Sequence, residues 1–155
     1  MSTLTKPRKS RVVTEREDAV QRRILSTWDA INNGLQTPYE VLSTSRQARN
    51  YTRGGGAGVT QGVPDLLFAH PAWGGILVGQ EVKTHDRTSK PSEAQARLAE
   101  MGVYAIVRDE LQSVGALAMW EYHHRPEGWL GRYEHLIQWL RANGGPVVRE
   151  VRHHG

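Results

Sequence analysis

Residues 62–83, GVPDLLFAHPAWGGILVGQEVK, place acidic and basic side chains inside two short apolar runs. Asp65 follows a proline at the start of the first run, and Glu81 and Lys83 lie near the end of the second. A buried strand has little reason to carry an acid and a base unless something charged binds there, because burying an unpaired charge is costly. We therefore expect these three side chains to mark the functional site.

The two apolar runs predict strands at residues 66–69 and 76–84, joined as a hairpin by a glycine-bearing loop. Because successive side chains alternate between the faces of a strand, Glu81 and Lys83 project from the same face, with Cα atoms roughly 6.5–7 Å apart. Pairing across the hairpin would bring the Asp65 carboxylate beside Glu81.

Carboxylates gathered in one crevice repel each other, and burial raises the cost of ionising each of them. A hard divalent cation relieves the repulsion, and Mg²⁺ typically binds one or two carboxylates together with water and substrate phosphate. Lys83 would then orient a water molecule or stabilise charge in a phosphoryl transition state. Taken singly, Glu81 and Lys83 fit a solvated ion pair and Asp65 fits a strand residue bonded to loop amides. Their combination favours a metal-dependent site.

Thr14-Glu15-Arg16-Glu17 fits the capping box that opens a helix. Apolar side chains follow at helical spacing, at Val20, Ile24, Trp28 and Ile31. We therefore predict a helix at residues 15–32, which Asn-Asn-Gly ends. Glu17 lies at the edge of the apolar stripe, so it is a candidate third carboxylate and metal ligand beside Asp65 and Glu81. The capping role explains Glu17 equally well, and Glu15 is an alternative.

The remaining elements are predicted from capping, periodicity and glycine. They are a short strand at 39–42, a helix opened by a second capping box at Ser92 and running through Glu100, a central strand at 103–107, a helix from Asp109 or Glu110 to about Ala118, a helix near 133–142 and an edge strand at 147–151. These elements predict an α/β fold, with a mixed central β-sheet flanked by helices on both sides.

At 155 residues the chain is long enough for one domain with a real core. We predict a basic disordered arm at residues 1–13, a core at 14–118 and an aromatic-rich C-terminal extension at 119–155 packed on that core. The chain has no cysteine, which excludes disulfides and thiolate metal sites. Its apolar runs are far shorter than a membrane span, and its first residues lack the apolar segment of a secretory signal. We expect a soluble cytoplasmic protein without a membrane partner.

The formal net charge is +4, and arginine supplies most of the positive charges. This charge favours a polyanionic partner such as DNA. Residues 43–61 lack apolar periodicity and combine arginines, glycines and an aromatic ring, which suits a loop that grips the substrate; disorder is the alternative. The candidate DNA contacts are Arg46, Arg49, Tyr51, Arg53, Arg87 and Lys90. His123, His124, His135, His153 and His154 are expected to be surface residues and not zinc ligands. His70 and His85 lie close to the predicted strands of the site and are candidates for phosphate contact, but their spacing assigns them no role.

The motif order of G-V-P-D-L-L, a glycine-bearing turn, E-V-K-T, S-x-x-Q at a helix start and a valine-rich strand resembles a VRR-NUC domain. This family is a branch of the PD-(D/E)xK nuclease superfamily, and the resemblance covers about residues 17–113. It implies a restriction-endonuclease-like core and a phosphodiesterase that acts on DNA. By the same resemblance, Asp65, Glu81 and the Val82 carbonyl would bind Mg²⁺ or Mn²⁺, and Lys83 would be the catalytic lysine.

Two helix residues also match the family pattern. Glu17 resembles the acid of its first helix, and Gln95 resembles the glutamine of the helix beside its site, although the S-x-x-Q cap is the other explanation for Gln95. The segment after Val114 matches no part of the family.

The resemblance implies a metal-dependent DNA endonuclease, selective for branched or junction DNA in replication, recombination or repair. Small stand-alone relatives suggest a bacterial or phage-infected host cell, and family habit with the aromatic C-terminal segment suggests a homodimer. The rival hypotheses are a non-catalytic DNA-binding protein that keeps the nuclease fold and a basic scaffold for other replication proteins. Only the nuclease requires both metal and Lys83.

Overall fold

A computed structural model of the chain describes residues 9–35, 38–44, 63–84 and 90–145, with side chains from residue 17 onward. Those segments form a mixed α/β fold, which confirms the predicted class. In chain order its elements are α1 (Lys9–Asn32), β1 (Glu40–Ser43), β2 (Leu66–Ala69), a 3₁₀ turn (Pro71–Trp73), β3 (Val78–Val82), α2 (Glu93–Glu100), β4 (Tyr104–Val107), α3 (Glu110–His124) and α4 (Trp129–Ala142).

The four described strands form one mixed sheet in the order β1-β2-β3-β4. β2 pairs antiparallel with β1 and with β3, so the predicted hairpin is confirmed. β4 runs parallel to β3, and α2 makes the crossover that two parallel neighbours require. The prediction of a central strand at residues 103–107 is wrong for the described sheet, because β2 and β3 are its inner strands and β4 lies at an edge.

One face of the sheet packs on α1 and α3. The Gln80 side chain on this face donates to the Ser113 carbonyl of α3 at 2.9 Å, and Trp28 of α1 donates its indole N–H to the Ser113 hydroxyl at 3.0 Å. The Trp28 ring also meets Phe68 of β2 edge-on, with ring centroids 5.1 Å apart. Each fully buried apolar side chain of this size contributes about 1.5–3 kcal/mol. This face is the main core of the fold.

The opposite face of β3 is turned toward α2. Glu81 follows Gln80, so its side chain lies on the other side of the sheet, where Gln95 of α2 hydrogen-bonds to it. Helices therefore flank the described sheet on both sides, as predicted. None of the residues of α2 is buried, so this helix covers the sheet without adding to the apolar core.

The first helix begins at Lys9, which makes the prediction of a start at Glu15 wrong. Thr14 lies inside the helix, so it is not at the N-cap position that the predicted Thr14–Glu17 capping box requires. Residues 9–13 were expected to belong to a disordered arm and instead form the first turns of α1; residues 1–8 lie outside the described segments. With the cap excluded, Glu17 is left as an interior helix residue that faces the sheet.

The third helix passes through residue 118 and continues to His124, so the predicted boundary between core and extension falls within a helix. α4 returns along α3 and adds Leu136, Ile137 and Leu140 to the main core. The α3–α4 pair is therefore part of the same packed unit. The predicted edge strand at 147–151 lies outside the described residues.

A buried carboxylate joins α3, α4 and the loop after β2. Glu121 has no exposed surface and accepts from Arg132 Nε at 2.7 Å, from the Trp73 indole at 2.9 Å and from the Tyr39 hydroxyl at 3.3 Å. Burial and the Glu121 charge raise the pKa of Tyr39 well above its usual value, so the hydroxyl remains a donor. This network holds α4 in place by polar contacts as well as by apolar packing.

In the segments that the structure describes, no helix has the length and apolar character that crossing a bilayer would require.

Candidate active site

Glu81 and Lys83 lie at the C-terminal end of β3, and both are buried, with 4% and 8% of their surface exposed. The Lys83 backbone N–H donates to the Val107 carbonyl at 2.9 Å, which continues the parallel pairing with β4 for one more residue. This bond keeps Lys83 on the same face as Glu81, and its Nζ lies 3.6 Å from Glu81 Oε1. The predicted E-x-K arrangement on one face is thus present.

The first helix brings Glu17 to the same place. Its Oε1 lies 4.0 Å from Lys83 Nζ, so the ammonium stands between two carboxylates. One helical turn further on, the Gln21 amide donates to the Ser43 hydroxyl of β1 at 2.6 Å. These contacts dock the middle of α1 against the sheet beside the site.

Asp65 is held by the strand that carries Glu81. The Val82 backbone N–H donates to Asp65 Oδ2 at 2.9 Å, so this carboxylate lies against β3 directly after Glu81. The Asp65 carbonyl in turn accepts from the Thr44 N–H at 2.9 Å, and the Thr44 hydroxyl donates to the Pro64 carbonyl at 2.5 Å. Bonds on both sides fix the Pro-Asp step, and they place Asp65 beside Glu81 as predicted.

Gln95 makes two sets of contacts, one within the cap of α2 and one with Glu81. Its backbone N–H donates to the Ser92 hydroxyl at 3.2 Å and its side-chain oxygen accepts from the Ser92 N–H at 2.9 Å, so the second capping box is confirmed. Its side-chain nitrogen donates to Glu81 Oε1 at 2.7 Å. One carboxamide therefore starts α2 and at the same time orients Glu81.

The Glu81 carboxyl occupies an electrostatically unfavourable position. Burial and the neighbouring Asp65 charge raise its pKa from 4.5 to about 8, and Lys83 offsets only part of the rise. Its Oε2 atom is buried and has no hydrogen-bond partner among the described residues. At neutral pH the Asp65–Glu81 pair therefore retains a proton unless a cation takes its place.

These donors fit a divalent cation that takes few protein ligands. Asp65 and Glu81 supply two oxygen donors, and the neighbouring backbone carbonyl of Val82 is the third donor implied by the family resemblance. Among the residues described, no group of three or more histidines, aspartates or glutamates is arranged to hold a metal ion. A closed all-protein site is therefore not present in the described segments. Mg²⁺ typically keeps several waters beside one or two carboxylates, and two carboxylates are what the site offers.

Most of the predicted DNA contacts fall in segments outside the described residues. Arg46, Arg49, Tyr51, Arg53 and Arg87 lie outside the described residues, as does His85. Lys90 is exposed on the connection that leads to α2.

His70 is buried, and its Nδ1 accepts from the Ala72 N–H at 3.0 Å, where it caps the 3₁₀ turn. This contact gives His70 a structural role.

Two residues near the site were not predicted. Tyr104 of β4 lies on the Glu81 face with a buried hydroxyl that has no hydrogen-bond partner in the described segments. Arg108, just after β4, donates from Nη1 to the Thr84 carbonyl at 2.6 Å, directly beyond Lys83. Tyr104 lies in an apolar run that is typical of core strands, and Arg108 has no sequence motif, so neither carried a signal.

The identity of the site rests on its own geometry and on the motif order. Comparisons of the chain with protein-family models, with curated proteins and with solved structures found no match. The resemblance to a VRR-NUC domain therefore remains a prediction from the sequence.

Proposed function

We propose that this protein is a divalent-metal-dependent DNA endonuclease with a restriction-endonuclease-like core similar to that of VRR-NUC domains, and that it cleaves branched DNA. The observation that carries the proposal is the convergence of Asp65 with the buried Glu81 and Lys83 at the end of β3, with Gln95 bonded to Glu81. The structure brings together side chains that lie up to 30 positions apart in the sequence. A set of isolated surface charges would not converge in this way.

Burial separates this site from an ordinary ion pair. An exposed Glu–Lys pair contributes little and needs no second carboxylate nearby. Here the Glu81 carboxyl is buried, its pKa is raised to about 8 and Asp65 contributes further negative charge. The arrangement destabilises the metal-free protein, which is expected where a cation completes the site.

Asp65, Glu81 and the Val82 carbonyl are the groups that would hold the cation. When bound, Mg²⁺ or Mn²⁺ lowers the pKa of a coordinated water and neutralises charge on the phosphate. The protein's own contacts fix the two carboxylates beforehand: the Val82 N–H orients Asp65, and the Gln95 amide orients Glu81. Such fixed ligands lower the reorganisation that binding requires.

Lys83 is the group best placed to act on the phosphate. Its ammonium is buried and held between Glu81 and Glu17, so its N–H donors are positioned before the substrate arrives. During hydrolysis the attacking water loses a proton to solvent as its oxygen forms a bond to phosphorus, and the leaving oxygen takes a proton from solvent as its bond to phosphorus breaks. The Lys83 donors would stabilise the charge that builds up on the other phosphate oxygens. No side chain needs to form a covalent intermediate.

Fold and charge support a DNA substrate. The described sheet is mixed and flanked by helices on both sides, as the family resemblance implies, and the net charge of +4 favours a polyanion. Branched DNA, a role in replication, recombination or repair, and a homodimer with two such sites belong to the proposal through the same resemblance.

The test is a panel of labelled duplex, single-stranded, flap and four-way-junction DNA, incubated with Mg²⁺, Mn²⁺ or EDTA. We expect metal-dependent cleavage, fastest on a branched substrate and lost in Asp65→Asn. Glu134→Gln, on the exposed side of α4, is a matched control that should cleave like the wild type. Cleavage that persists in EDTA, or in Asp65→Asn, would overturn the mechanism.

The rival hypothesis is a non-catalytic DNA-binding protein with the same fold. Such a protein would bind DNA with steep salt dependence and cleave none of the panel in any metal. Calorimetric titration with Mn²⁺ separates the two. A nuclease should bind Mn²⁺ through Asp65 and Glu81, whereas a non-catalytic DNA-binding protein should not bind it.

A further inference from the structure

Tyr104 lies on the same face of the sheet as Glu81. In the parallel pairing of β3 with β4, Tyr104 stands opposite Gly79, and Glu81 is two residues further along the same strand. Side chains two residues apart share a face, so Tyr104 and Glu81 are diagonal neighbours on the side covered by α2. The tyrosine therefore borders the candidate active site.

A glycine at position 79 makes room for this ring. A Cβ atom there would come within 2.9 Å of the Tyr104 Cβ and within 2.8 Å of the Pro64 side chain, distances at which something must shift. Pro64 directly precedes Asp65. Gly79 thus allows Tyr104 and the Pro-Asp step to approach each other across β3.

No residue that the structure describes forms a hydrogen bond with the Tyr104 hydroxyl. Only 5% of the residue is exposed, and its oxygen is one of two buried side-chain polar atoms in the described segments that make no hydrogen bond; the other is Glu81 Oε2. Buried polar groups are rarely left unpaired, because water satisfies them in the unfolded chain. Phenylalanine would fill the same space without this cost. Two unpartnered oxygens on one sheet face are suited to binding a polar ligand there.

We propose that Tyr104 is a further residue of the active site, whose hydroxyl donates a hydrogen bond to a phosphate oxygen of the substrate. This inference rests on the proposed phosphodiesterase function. Phosphate oxygens only accept hydrogen bonds, so they need donors such as a phenol. Burial and the charges of Glu81 and Asp65 raise the pKa of Tyr104, so the phenol keeps its proton.

α2 lies on the same side of the sheet as Tyr104, because its Gln95 contacts Glu81 there. This helix has no buried residue, and small apolar contact is typical of elements that open at low free-energy cost. Its Gln95 also contacts Glu81, so a phosphate that entered between α2 and the sheet would meet Tyr104 and Gln95 together.

The test is Tyr104→Phe in the full chain, with Tyr133→Phe on α4 as the matched control. We expect Tyr104→Phe to keep or raise the melting temperature, because it removes an unpaired buried hydroxyl. We expect kcat to fall roughly 10- to 100-fold, the value of one hydrogen bond to a charged group. A lower melting temperature, or an unchanged kcat, would make the residue structural and overturn the proposal.

A second measurement is independent of cleavage. Protein labelled with 3-fluorotyrosine is titrated with Mg²⁺ and then with inorganic phosphate while its ¹⁹F spectrum is recorded, and Tyr104→Phe assigns the relevant signal. The Tyr104 signal should shift on addition of phosphate while that of Tyr133 stays; an unmoved Tyr104 signal contradicts the proposal. If the wild type cleaves no DNA, the nuclease proposal fails alone, since phosphate still reports on Tyr104. If it cleaves and Tyr104→Phe cleaves equally well, only the inference about Tyr104 fails.

Discussion

Replacing Glu81 by glutamine should stabilise the metal-free protein at high pH. The folded-state pKa of Glu81 is raised from 4.5 to about 8, so the folded protein binds more protons than the unfolded chain between these values. The stability from this group is therefore full below about pH 4.5 and is lost as the pH rises through 8. One pKa unit corresponds to about 1.4 kcal/mol, so the wild type should lose up to about 5 kcal/mol over this window.

Glutamine keeps most of the local contacts. Its side-chain oxygen can still accept from the Gln95 amide, which lies 2.7 Å from Glu81 Oε1 in the wild type. Lys83 loses an ionic neighbour at 3.6 Å, which reduces the gain. We therefore expect the free energy of unfolding of Glu81→Gln to exceed that of the wild type by about 2–4 kcal/mol at pH 8.5 in EDTA. Near pH 5 the two free energies should be equal.

Urea unfolding followed by circular dichroism, at pH 5 and pH 8.5 in EDTA, measures both free energies. Glu134→Gln is the control for removing one acidic charge and should follow the wild type at both pH values. Saturating Mg²⁺ should restore wild-type stability at pH 8.5 and leave Glu81→Gln nearly unchanged, because a cation replaces the proton of the carboxyl pair. If Glu81→Gln and the wild type lose stability in parallel between pH 5 and 8.5, the reasoning about this buried carboxyl is refuted.

Two further predictions concern the proton and the buried pair. Binding of Mn²⁺ should release about one proton at pH 7 and clearly less at pH 9, because Glu81 holds a proton only below its raised pKa. Calorimetry in buffers of different ionisation enthalpy measures this release. Equal release at both pH values would contradict the raised pKa of Glu81. Arg132→Met leaves Glu121 buried without its cation, so the free energy of unfolding should fall by about 3–5 kcal/mol in a urea titration, against little change for Arg141→Met on the same helix. A fall below about 1 kcal/mol would show that Glu121 is satisfied without Arg132.

Local sequence rules predicted the centre of the site well. Alternation along β3 placed Glu81 and Lys83 on one face, and the hairpin placed Asp65 beside them. The S-x-x-Q signal at Ser92 correctly predicted the start of α2. These features depend on neighbours a few residues away, or on one short turn, so the pattern contains the information.

Other features depend on contacts that no local pattern encodes. Thr14–Glu17 matches the capping-box pattern, but residues 9–13 are also helical, so Thr14 does not lie at the start of a helix. α3 passes Ala118 because its last turns pack on α4, and β4 takes an edge position through pairing that only the assembled sheet defines.

Charged residues are expected at the surface, so the buried Glu121–Arg132 pair could not be foreseen. The role proposed for Tyr104 could not be predicted either, because a tyrosine in an apolar strand is typical of the hydrophobic core.

The central claim is that Lys83 and a divalent cation together hydrolyse DNA at this site. Its most direct test is single-turnover cleavage of a labelled four-way junction by the wild type and by Lys83→Met, in Mg²⁺ and in EDTA. We predict that the wild type cleaves only with Mg²⁺, and that Lys83→Met binds the junction equally well but cleaves it about 10²- to 10³-fold more slowly. Equal rates for the two proteins, or cleavage that continues in EDTA, would contradict the account.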